Sequence, residues 1–438
     1  MNEISVWSYF WLSFGFGFIS LLTPCVFPLI PITVSYFLKR QDSVQTKKLL
    51  DSLLYALSII ITFSLLGLVI TIFFGASGLN KLASHPILNL MIGILFLLFA
   101  LNLMGFFEVR IPTFILNLLG HTNFTGIFPT LFMGLTFTLT TFTCTMPFLG
   151  TVLISAASGE WFFPLVGMFG YGLAFAFPFF FLSLFPSFLQ TLPKSGSWMV
   201  SFKIVMGFLE ILASLKFFSN VDIVWNFGIL SKDVFIFLSS LILFLIALYL
   251  FGVYKFPHET NLKKISKLRT TWALTFLSMA FYLILALVFH FPFGELNAYL
   301  PPSGYGKLTY FSSQKEFYWI RNLEQAKEES KRTGKPIFID FTGFTCVNCR
   351  WMEENIFSNP EVQSSLSRFI LVQLYTDGEG EEYEKNQAYQ EKKFGTIGLP
   401  LYVIMDAKEN IVVKLEGMTR DIDEFLKFLQ LGFSSVNL

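Results

Sequence analysis

Four cysteines are the residues of this chain best suited to chemistry, and they lie in two contrasting contexts. Cys25 and Cys144 lie inside hydrophobic runs, whereas Cys346 and Cys349 form a C-x-x-C in a charged carboxyl-terminal segment. A structural disulfide framework would need many cysteines in a short secreted chain, and this chain has four in 438 residues. The pattern therefore predicts two dithiol pairs in two environments.

The second pair stands where a thiol becomes reactive. A helix is predicted over 348–357. Cys346 lies just before this helix, and Cys349 lies in its first turn. Free N–H groups and the helix dipole at a helix start favour a thiolate and lower the thiol pKa, so Cys346 is the expected nucleophile and Cys349 the resolving thiol. Zinc ligation is the competing interpretation, but the sequence from Ser303 onward has no histidine and no third cysteine.

The first pair occupies two matching C-x-x-P motifs, each with a proline three residues after the thiol. Such a proline removes a backbone hydrogen bond and can open a polar break in a membrane helix. The motifs lie in the first and the fourth predicted helices, three crossings apart, which suggests an inverted repeat that brings Cys25 and Cys144 to a central interface. The alternative is that each is a small apolar side chain packed in a core.

Composition shows which elements must position these thiols. Residues 1–302 carry 15 Lys and Arg and 10 Asp and Glu between long apolar runs, whereas residues 303–438 carry 16 and 20 in a much shorter span. A bilayer core needs roughly 20 apolar residues per helix, and about eight stretches meet that length. They are 10–37, 52–74, 87–107, 127–155, 163–190, 200–219, 234–253 and 272–291.

Loop charges predict the orientation of these spans. Most Lys and Arg residues of the loops, including Lys39 and Arg40 of the first loop, fall in every second loop. Loops rich in positive charge stay on the cytoplasmic side. Both termini are therefore expected to face outward. The first residues lack a basic n-region, so the first helix is expected to remain as an anchor.

The charged tail alternates predicted helices and strands. A charge-laced helix over 314–332 precedes an apolar strand over 336–341, and a helix follows the C-x-x-C. Further strands are predicted over 369–375, 401–405 and 411–415, with a closing helix over 422–431. The predicted organisation is a polytopic helical membrane domain (1–295), a linker (296–312) and an α/β domain (313–438).

Two motifs of the tail carry a family resemblance. The stretch Ile337–Arg350, read IFIDFTGFTCVNCR, resembles the active-site strand and helix of thioredoxin-like domains, and Gly398-Leu399-Pro400 is similar to their cis-proline loop. With the membrane C-x-x-P motifs, nearly the whole chain resembles the DsbD family of bacterial transmembrane thiol:disulfide interchange proteins, whose core is similar to CcdA proteins.

The resemblance implies roles for individual residues. Cys25 and Cys144 would form the membrane pair, which reduces the tail pair. Asp340, six residues before Cys346, matches a buried acid of thioredoxin-like domains, and Glu353 matches a second acid of the family's tail. Both would accept protons and tune the thiols, and burial should raise their pKa values. Pro400, if cis, would help to dock partners. Asp340 could instead be a satisfied core acid.

Two departures from the family are visible. The family carries an additional amino-terminal periplasmic domain with its own cysteine pair, and here only a few residues precede the first predicted helix. The final carrier to substrates is then expected to be a separate protein, unless the tail serves substrates directly. The aromatic residue that usually precedes the C-x-x-C is Thr345, which bears on reduction potential and partner choice.

Charged residues inside membrane spans are costly and often functional. Glu210 and Lys203 lie seven residues apart on the sixth span, on one helical face. They could hydrate a cysteine cavity, form a buried structural pair, or in the case of the lysine reach toward the interface.

The sequence thus predicts a protein-disulfide reductase of the bacterial inner membrane. The resemblance implies that cytoplasmic thioredoxin would supply electrons and that periplasmic thiol-disulfide proteins would receive them from an outward-facing tail. The acceptor could be a disulfide isomerase, a cytochrome c maturation protein or a metal-stress factor. Redox-active cysteine pairs replace any bound cofactor, membrane lipid surrounds the spans, and nucleic acid is not an expected partner. The alternatives are a transporter of a small thiol or metal ion with the tail as a regulatory domain, and a non-catalytic scaffold.

Overall fold

The computed structural model describes residues 6–21, 23, 26, 52–69, 84–106, 131, 134–138, 141, 162–184, 197–256, 266–289, 293–302, 305–306 and 318–436. The chain divides into two compact units. One joins Met1–Leu79, Ile94–Ala213 and Tyr249–Arg269, and the other joins Asn80–Gly93, Ser214–Leu248 and Thr270–Leu438.

Long apolar helices dominate the first part of the chain. They are α1 (Val6–Ser20), α2 (Ser52–Val69), α3 (Pro86–Leu103), α4 (Phe162–Leu184), α5 (Ser197–Trp225), α6 (Lys232–Leu250) and α7 (Lys267–Phe289). Within the described ranges, five of these, α2, α3, α5, α6 and α7, are long and apolar enough to cross a membrane. The predicted helical membrane region is confirmed, whereas the count of eight spans is not.

Helices α1 and α4 pack closely in the first unit. A Cβ at Gly17 would lie 2.8 Å from the Ala174 Cβ and 2.9 Å from the Tyr171 carbonyl oxygen, so only glycine permits this approach. Apolar side chains from α1, α2 and α4 then fill one buried cluster. Its members include Tyr55, Ile59, Phe63, Met168, Tyr171 and Phe175.

Two predicted span boundaries were wrong. The first span was predicted over 10–37, but α1 begins at Val6 and ends at Ser20, and turn hydrogen bonds follow from Thr23 N and Val26 N. Thr23 precedes a proline, which disfavours helical backbone there. The sixth span, predicted over 200–219, extends as α5 to Trp225, because Asp222 accepts hydrogen bonds from the following loop.

The tail folds as one mixed four-stranded sheet between two layers of helices. The strands are β1 (Ile337–Thr342), β2 (Ile370–Tyr375), β3 (Leu401–Met405) and β4 (Ile411–Glu416), in the order β2-β1-β3-β4. β1 is parallel to β2 and antiparallel to β3, which is antiparallel to β4. The helices are α8 (Leu323–Thr333), α9 (Val347–Asn355), α10 (Pro360–Leu366), α11 (Glu381–Phe394) and α12 (Ile422–Val436).

Alternation along β1 separates two cores. Ile337, Ile339 and Phe341 face a cluster that contains Phe394 of α11. Phe338 faces the opposite cluster, with members from α9 and α12. Asp340 follows Phe338 by two residues and therefore lies on the face that α9 covers.

The first helix of the tail was predicted to begin too early. Residues 318–322 are not helical, and Ile320 pairs with the edge of β2 through Ile320 N to Leu371 O, 2.9 Å, and Gln373 N to Ile320 O, 3.0 Å. Helix α8 begins at Leu323 because the Asn322 side chain caps it, accepting from the N–H groups of the first turn.

Candidate redox site

The C-x-x-C forms a disulfide at the start of α9. Cys346 is the N-cap of the helix and Cys349 lies in its first turn, with the two sulfurs bonded to each other. The Cys349 N–H donates to Cys346 Sγ over 3.1 Å. Cys346 is partly exposed, whereas Cys349 is 1% exposed. The structure is therefore the oxidised form, with one sulfur open to a partner and the other enclosed.

A row of polar side chains crosses the sheet beneath α9. The register pairs Asp340 of β1 with Gln373 of β2 on one side and Tyr402 of β3 on the other. Gln373 Nε2 donates to Asp340 Oδ2 over 3.2 Å. Asp340 Oδ1 has no hydrogen-bond partner among the described residues. Burial, and secondarily the charge of Glu353, raises the pKa of Asp340 to about 7.

Glu353 joins this row from the helix above. Gln373 Nε2 also donates to Glu353 Oε1 over 3.2 Å, so one amide bridges the two acids. Arg350 Nη1 lies 2.7 Å from Glu353 Oε2. Burial raises the pKa of Glu353, and the positive charge of Arg350 opposes that rise. The structure thus brings together the two acids that the sequence singled out.

Asp377 clamps the loop that leads into Cys346. Its carboxylate accepts from Phe344 N over 2.7 Å and from the Thr345 N–H and hydroxyl over 3.2 Å each. Thr345 stands where the family usually has an aromatic residue, and here its hydroxyl bonds the clamp. Burial raises the pKa of Asp377, although these donors oppose the rise.

Removing this clamp should destabilise the tail. Asp377→Ala leaves the loop donors without their acceptor, which should lower the free energy of unfolding by about 1–3 kcal/mol. Pulse proteolysis across urea concentrations, on the full chain in detergent, measures this. Glu382→Ala, at an exposed acid of α11, is the matched control. Equal midpoints for the two variants would contradict the clamp.

The proline loop lies beside the redox loop. The Leu399–Pro400 peptide bond is cis, and the Pro400 carbonyl accepts from Gly417 N over 2.9 Å. A Cβ at Gly343 would lie 3.0 Å from Leu399 Cδ1 and 2.7 Å from Asp377 Oδ2. Glycine at 343 therefore lets the two loops and the clamp meet closely.

The predicted membrane pair, Cys25 and Cys144, lies outside the described residues. Val26 and Phe137, which belong to the two predicted cysteine-bearing spans, are members of the same buried cluster. Glu210 is fully buried, and neither of its carboxylate oxygens has a hydrogen-bond partner within the described ranges. The structural pair with Lys203 does not form there.

Sequence reasoning missed three polar residues of the site, namely Gln373, Arg350 and Asp377. A glutamine within the apolar run of β2 was a usable signal for Gln373, because a polar residue in a buried strand needs a partner. Arg350 directly follows the cysteine pair, but its burial was not visible from sequence. Among the described residues, no group of three or more His, Cys, Asp or Glu is placed to hold a metal ion.

Comparisons with known proteins agree with this arrangement. Residues 6–221 match a family described as cytochrome C biogenesis protein transmembrane domain, and residues 318–407 match a thioredoxin-like family. The chain is 24% identical over 440 residues to the thiol:disulfide interchange protein DsbD of Campylobacter jejuni strain RM1221, covering 98% of this chain and 72% of the relative.

Two Vibrio proteins with the same name are also similar. The identity is 28% over 400 residues for Vibrio cholerae and 27% over 407 residues for Vibrio vulnificus strain YJ016. These alignments cover 88% and 89% of this chain, but 60% and 61% of the relatives. With its apolar helices and thioredoxin-like tail, the chain is a multi-pass inner-membrane protein that belongs to the DsbD family of transmembrane thiol:disulfide interchange proteins.

Proposed function

We propose that this chain passes two electrons at a time from cytoplasmic thioredoxin, through the membrane, to periplasmic disulfide proteins. Thiol:disulfide interchange is the activity that the relatives' names state. The observation that carries the proposal is the Cys346–Cys349 disulfide, with Cys346 partly exposed, next to Asp340 and Glu353, which share the Gln373 amide. The names of these relatives do not favour the transporter that the sequence left open.

The tail would act in two exchange steps. The Cys346 thiolate attacks a partner disulfide, so a Cys346–partner bond forms, the partner's own bond breaks, and one partner sulfur leaves and takes a proton from solvent. Cys349 then gives its proton to Asp340 and attacks Cys346 Sγ. The Cys346–Cys349 bond forms, the mixed disulfide breaks, and the second partner sulfur leaves as a thiolate, so the partner has gained two electrons over the two steps.

The geometry supports these roles. Attack requires an accessible sulfur at a helix start, as Cys346 is, and resolution from within requires an enclosed one, as Cys349 is. A proton acceptor works best when its pKa lies near the working pH, and Asp340 meets that condition with a pKa of about 7. Glu353 would tune this acid, and the backbone at Pro400, beside the redox loop, would help to seat the partner.

The membrane pair would then reduce the tail again. A Cys25–Cys144 disulfide, reduced by cytoplasmic thioredoxin, would deliver its two electrons to the Cys346–Cys349 disulfide and become oxidised in turn. The shared cluster of Val26 and Phe137 supports a common location for the two cysteine-bearing segments. Cysteine pairs carry every step, so the route needs no bound cofactor.

Topology and domain limits complete the proposal. Both termini and the tail would face the periplasm, because most positive loop charges fall on the other side. The membrane domain would span 1–295, the linker 296–312 and the thioredoxin-like domain 313–438. An isomerase or a cytochrome c maturation protein would be the acceptor, and the family description of the membrane region supports the latter.

Cys25→Ser should leave the tail pair oxidised in growing cells, because its electron source is cut. The redox state of Cys346 and Cys349 is trapped with acid and read with a mass-tagging alkylator. Cys144→Ser should have the same effect, whereas Phe18→Leu, on the exposed face of α1, should keep the tail reduced. If the redox state of Cys346 and Cys349 is unchanged in both cysteine variants, the proposed electron route is wrong.

A further inference from the structure

Arg350 is a buried cation that none of the proposed steps uses. It is 4% exposed and directly follows Cys349 in α9. Its Nη2 donates to Thr342 Oγ1 over 3.1 Å and to the Gly343 carbonyl over 3.3 Å, at the end of β1. Its Nη1 contacts Glu353 over 2.7 Å. Burying a charge costs free energy even when the charge is paired, so we expect this arginine to have a role beyond packing.

Acidic groups surround this guanidinium on several elements. The titratable and charged groups that interact with it are Glu353 of α9, Asp340 of β1, Tyr375 of β2, Tyr402 of β3, Asp377 of the following loop and Lys216 of α5. Glu353 has a further acidic neighbour, Glu354, which pairs with Lys232 over 2.8 Å. Glu353 lies in direct ion-pair contact with Arg350, so the strongest effect of the cation falls on that acid.

The two acids beside it cannot both ionise freely without a cation. Gln373 bridges Asp340 and Glu353, which places two carboxyl groups on one amide. Like charges this close disfavour the doubly ionised state, and one proton is then shared by the pair. A cation bonded to one acid fixes the charge there and leaves the other acid to exchange the proton.

We infer that Arg350 is a positioning residue of the reductase reaction, which holds Glu353 ionised so that Asp340 is the acid that takes the proton of Cys349. This inference rests on the proposed roles of Cys349 and Asp340 and adds the residue that divides the work between the two acids. Arg350 acts through Glu353 and forms no bond to either sulfur in the exchange steps.

The test separates the two exchange steps in the full chain in detergent. Cys25→Ser and Cys144→Ser are present throughout, so that only the tail pair reacts. The reduced protein is mixed with Ellman's disulfide, and each step releases one coloured thiolate: the first by attack of Cys346, the second by attack of Cys349. The pH dependence of the second release is the readout. It needs no electron delivery through the membrane, so it would succeed even if the transmembrane route failed.

Arg350→Gln should move the pH midpoint of the second release downward by about one pH unit, in the same direction as Glu353→Gln, because Glu353 without its cation takes up a proton and no longer repels an Asp340 carboxylate. Arg350→Lys keeps the charge and should keep the midpoint near that of the parent chain. Arg332→Gln is the matched control, since it removes the exposed pair with Glu329, which has the same three-residue spacing. An unshifted midpoint in Arg350→Gln would overturn the inference, and so would a raised one, which would show that Arg350 acts on Asp340 directly.

Glu353→Gln keeps the inference testable if Arg350→Gln does not fold. The charge that Arg350 holds on Glu353 repels an Asp340 carboxylate, so the neutral variant should lower the midpoint. In this background Arg350→Gln should shift the midpoint by less than half as much as in the parent chain. A midpoint that does not fall in Glu353→Gln, or an equal shift by Arg350→Gln in both backgrounds, would show that Arg350 does not act through Glu353.

Discussion

The chain carrying Cys349→Ser should accumulate in cells as a mixed disulfide through Cys346. Cys346 remains able to attack a partner disulfide, but the thiol that releases the partner is gone. Cys349 is 1% exposed in the first turn of α9, so an outside thiol cannot easily take its place. We expect protein-disulfide reduction to fall by at least about 10³-fold, because the covalent intermediate no longer turns over.

The trapped species is measured by acid quenching, alkylation and separation without reductant, followed by mass spectrometry of the Cys346 peptide. Cys346→Ser is the informative comparison, because it should lose activity to the same degree and trap no partner. Adducts on Cys349 in that variant, at the level seen on Cys346 in Cys349→Ser, would reverse the assigned roles. The trapped partner would also identify the acceptor by direct observation.

In the tail, the sequence predicted those helices and strands whose own residues form a clear hydrophobic pattern. The strand over 401–405 is confirmed to the residue, and the strand before the cysteines is displaced by one residue, because apolar residues dominate both segments. Helix α11 was missed, since charged and polar residues dominate it and no apolar stripe marks it. Helix α10 was missed although Asn359 and Pro360 form a recognisable helix start.

In the membrane region too, the sequence predicted some helix ends and missed others. The apolar runs of the sequence predicted α2, α6 and α7. Most ends of these helices lie within a few residues of the predicted ends. It could not predict how far α5 continues, since Asn220 and Asp222 are polar and become helical through tertiary partners. Asn220 donates to Asn89 of α3 over 3.2 Å, and Asp222 binds the loop that follows. A sequence window does not contain such partners.

The candidate site divides along similar lines. The cysteines and Asp340 follow from local motifs, because a C-x-x-C at a helix start and an acid in a buried strand are both visible in one segment. The bridge through Gln373 depends on the parallel register of β1 and β2, which joins residues 33 positions apart. The charge on Glu353 depends on the burial of Arg350. Neither relation is local, so the sequence could name the acids but not their division of work.

Asp340→Asn should have opposite effects on the rate and on the stability of the tail. Without the acid, Cys349 has no internal proton acceptor, so the second exchange step should slow by about 10²-fold at neutral pH, the lower end of general-base effects. The stability of the tail should rise instead. In the native tail the pKa of Asp340 is raised from 3.8 to about 7, so the folded state binds the proton more tightly than the unfolded state.

The sign of the linkage follows from that raised pKa. Between about pH 4 and pH 7 the folded tail holds a proton that the unfolded chain has lost, and the free energy of unfolding therefore falls as pH rises. At pH 8 the acid destabilises the fold by up to about 4 kcal/mol, because each tenfold difference in proton affinity corresponds to about 1.4 kcal/mol. Asparagine has the same shape and never ionises, so the variant should gain that stability at pH 8 and nothing below pH 4.

Pulse proteolysis across urea, on the full chain in detergent at pH 8 and at pH 5, measures the stability, and release of the second thiolate from Ellman's disulfide measures the rate. Asp423→Asn, at an exposed acid in the first turn of α12, is the matched control and should change neither. A stability gain that is equal at both pH values would reflect packing and contradict the buried-acid account. If Asp340→Asn raises the stability only at high pH and leaves the rate of the second step unchanged, Asp340 is a destabilising buried acid that takes no part in the reaction.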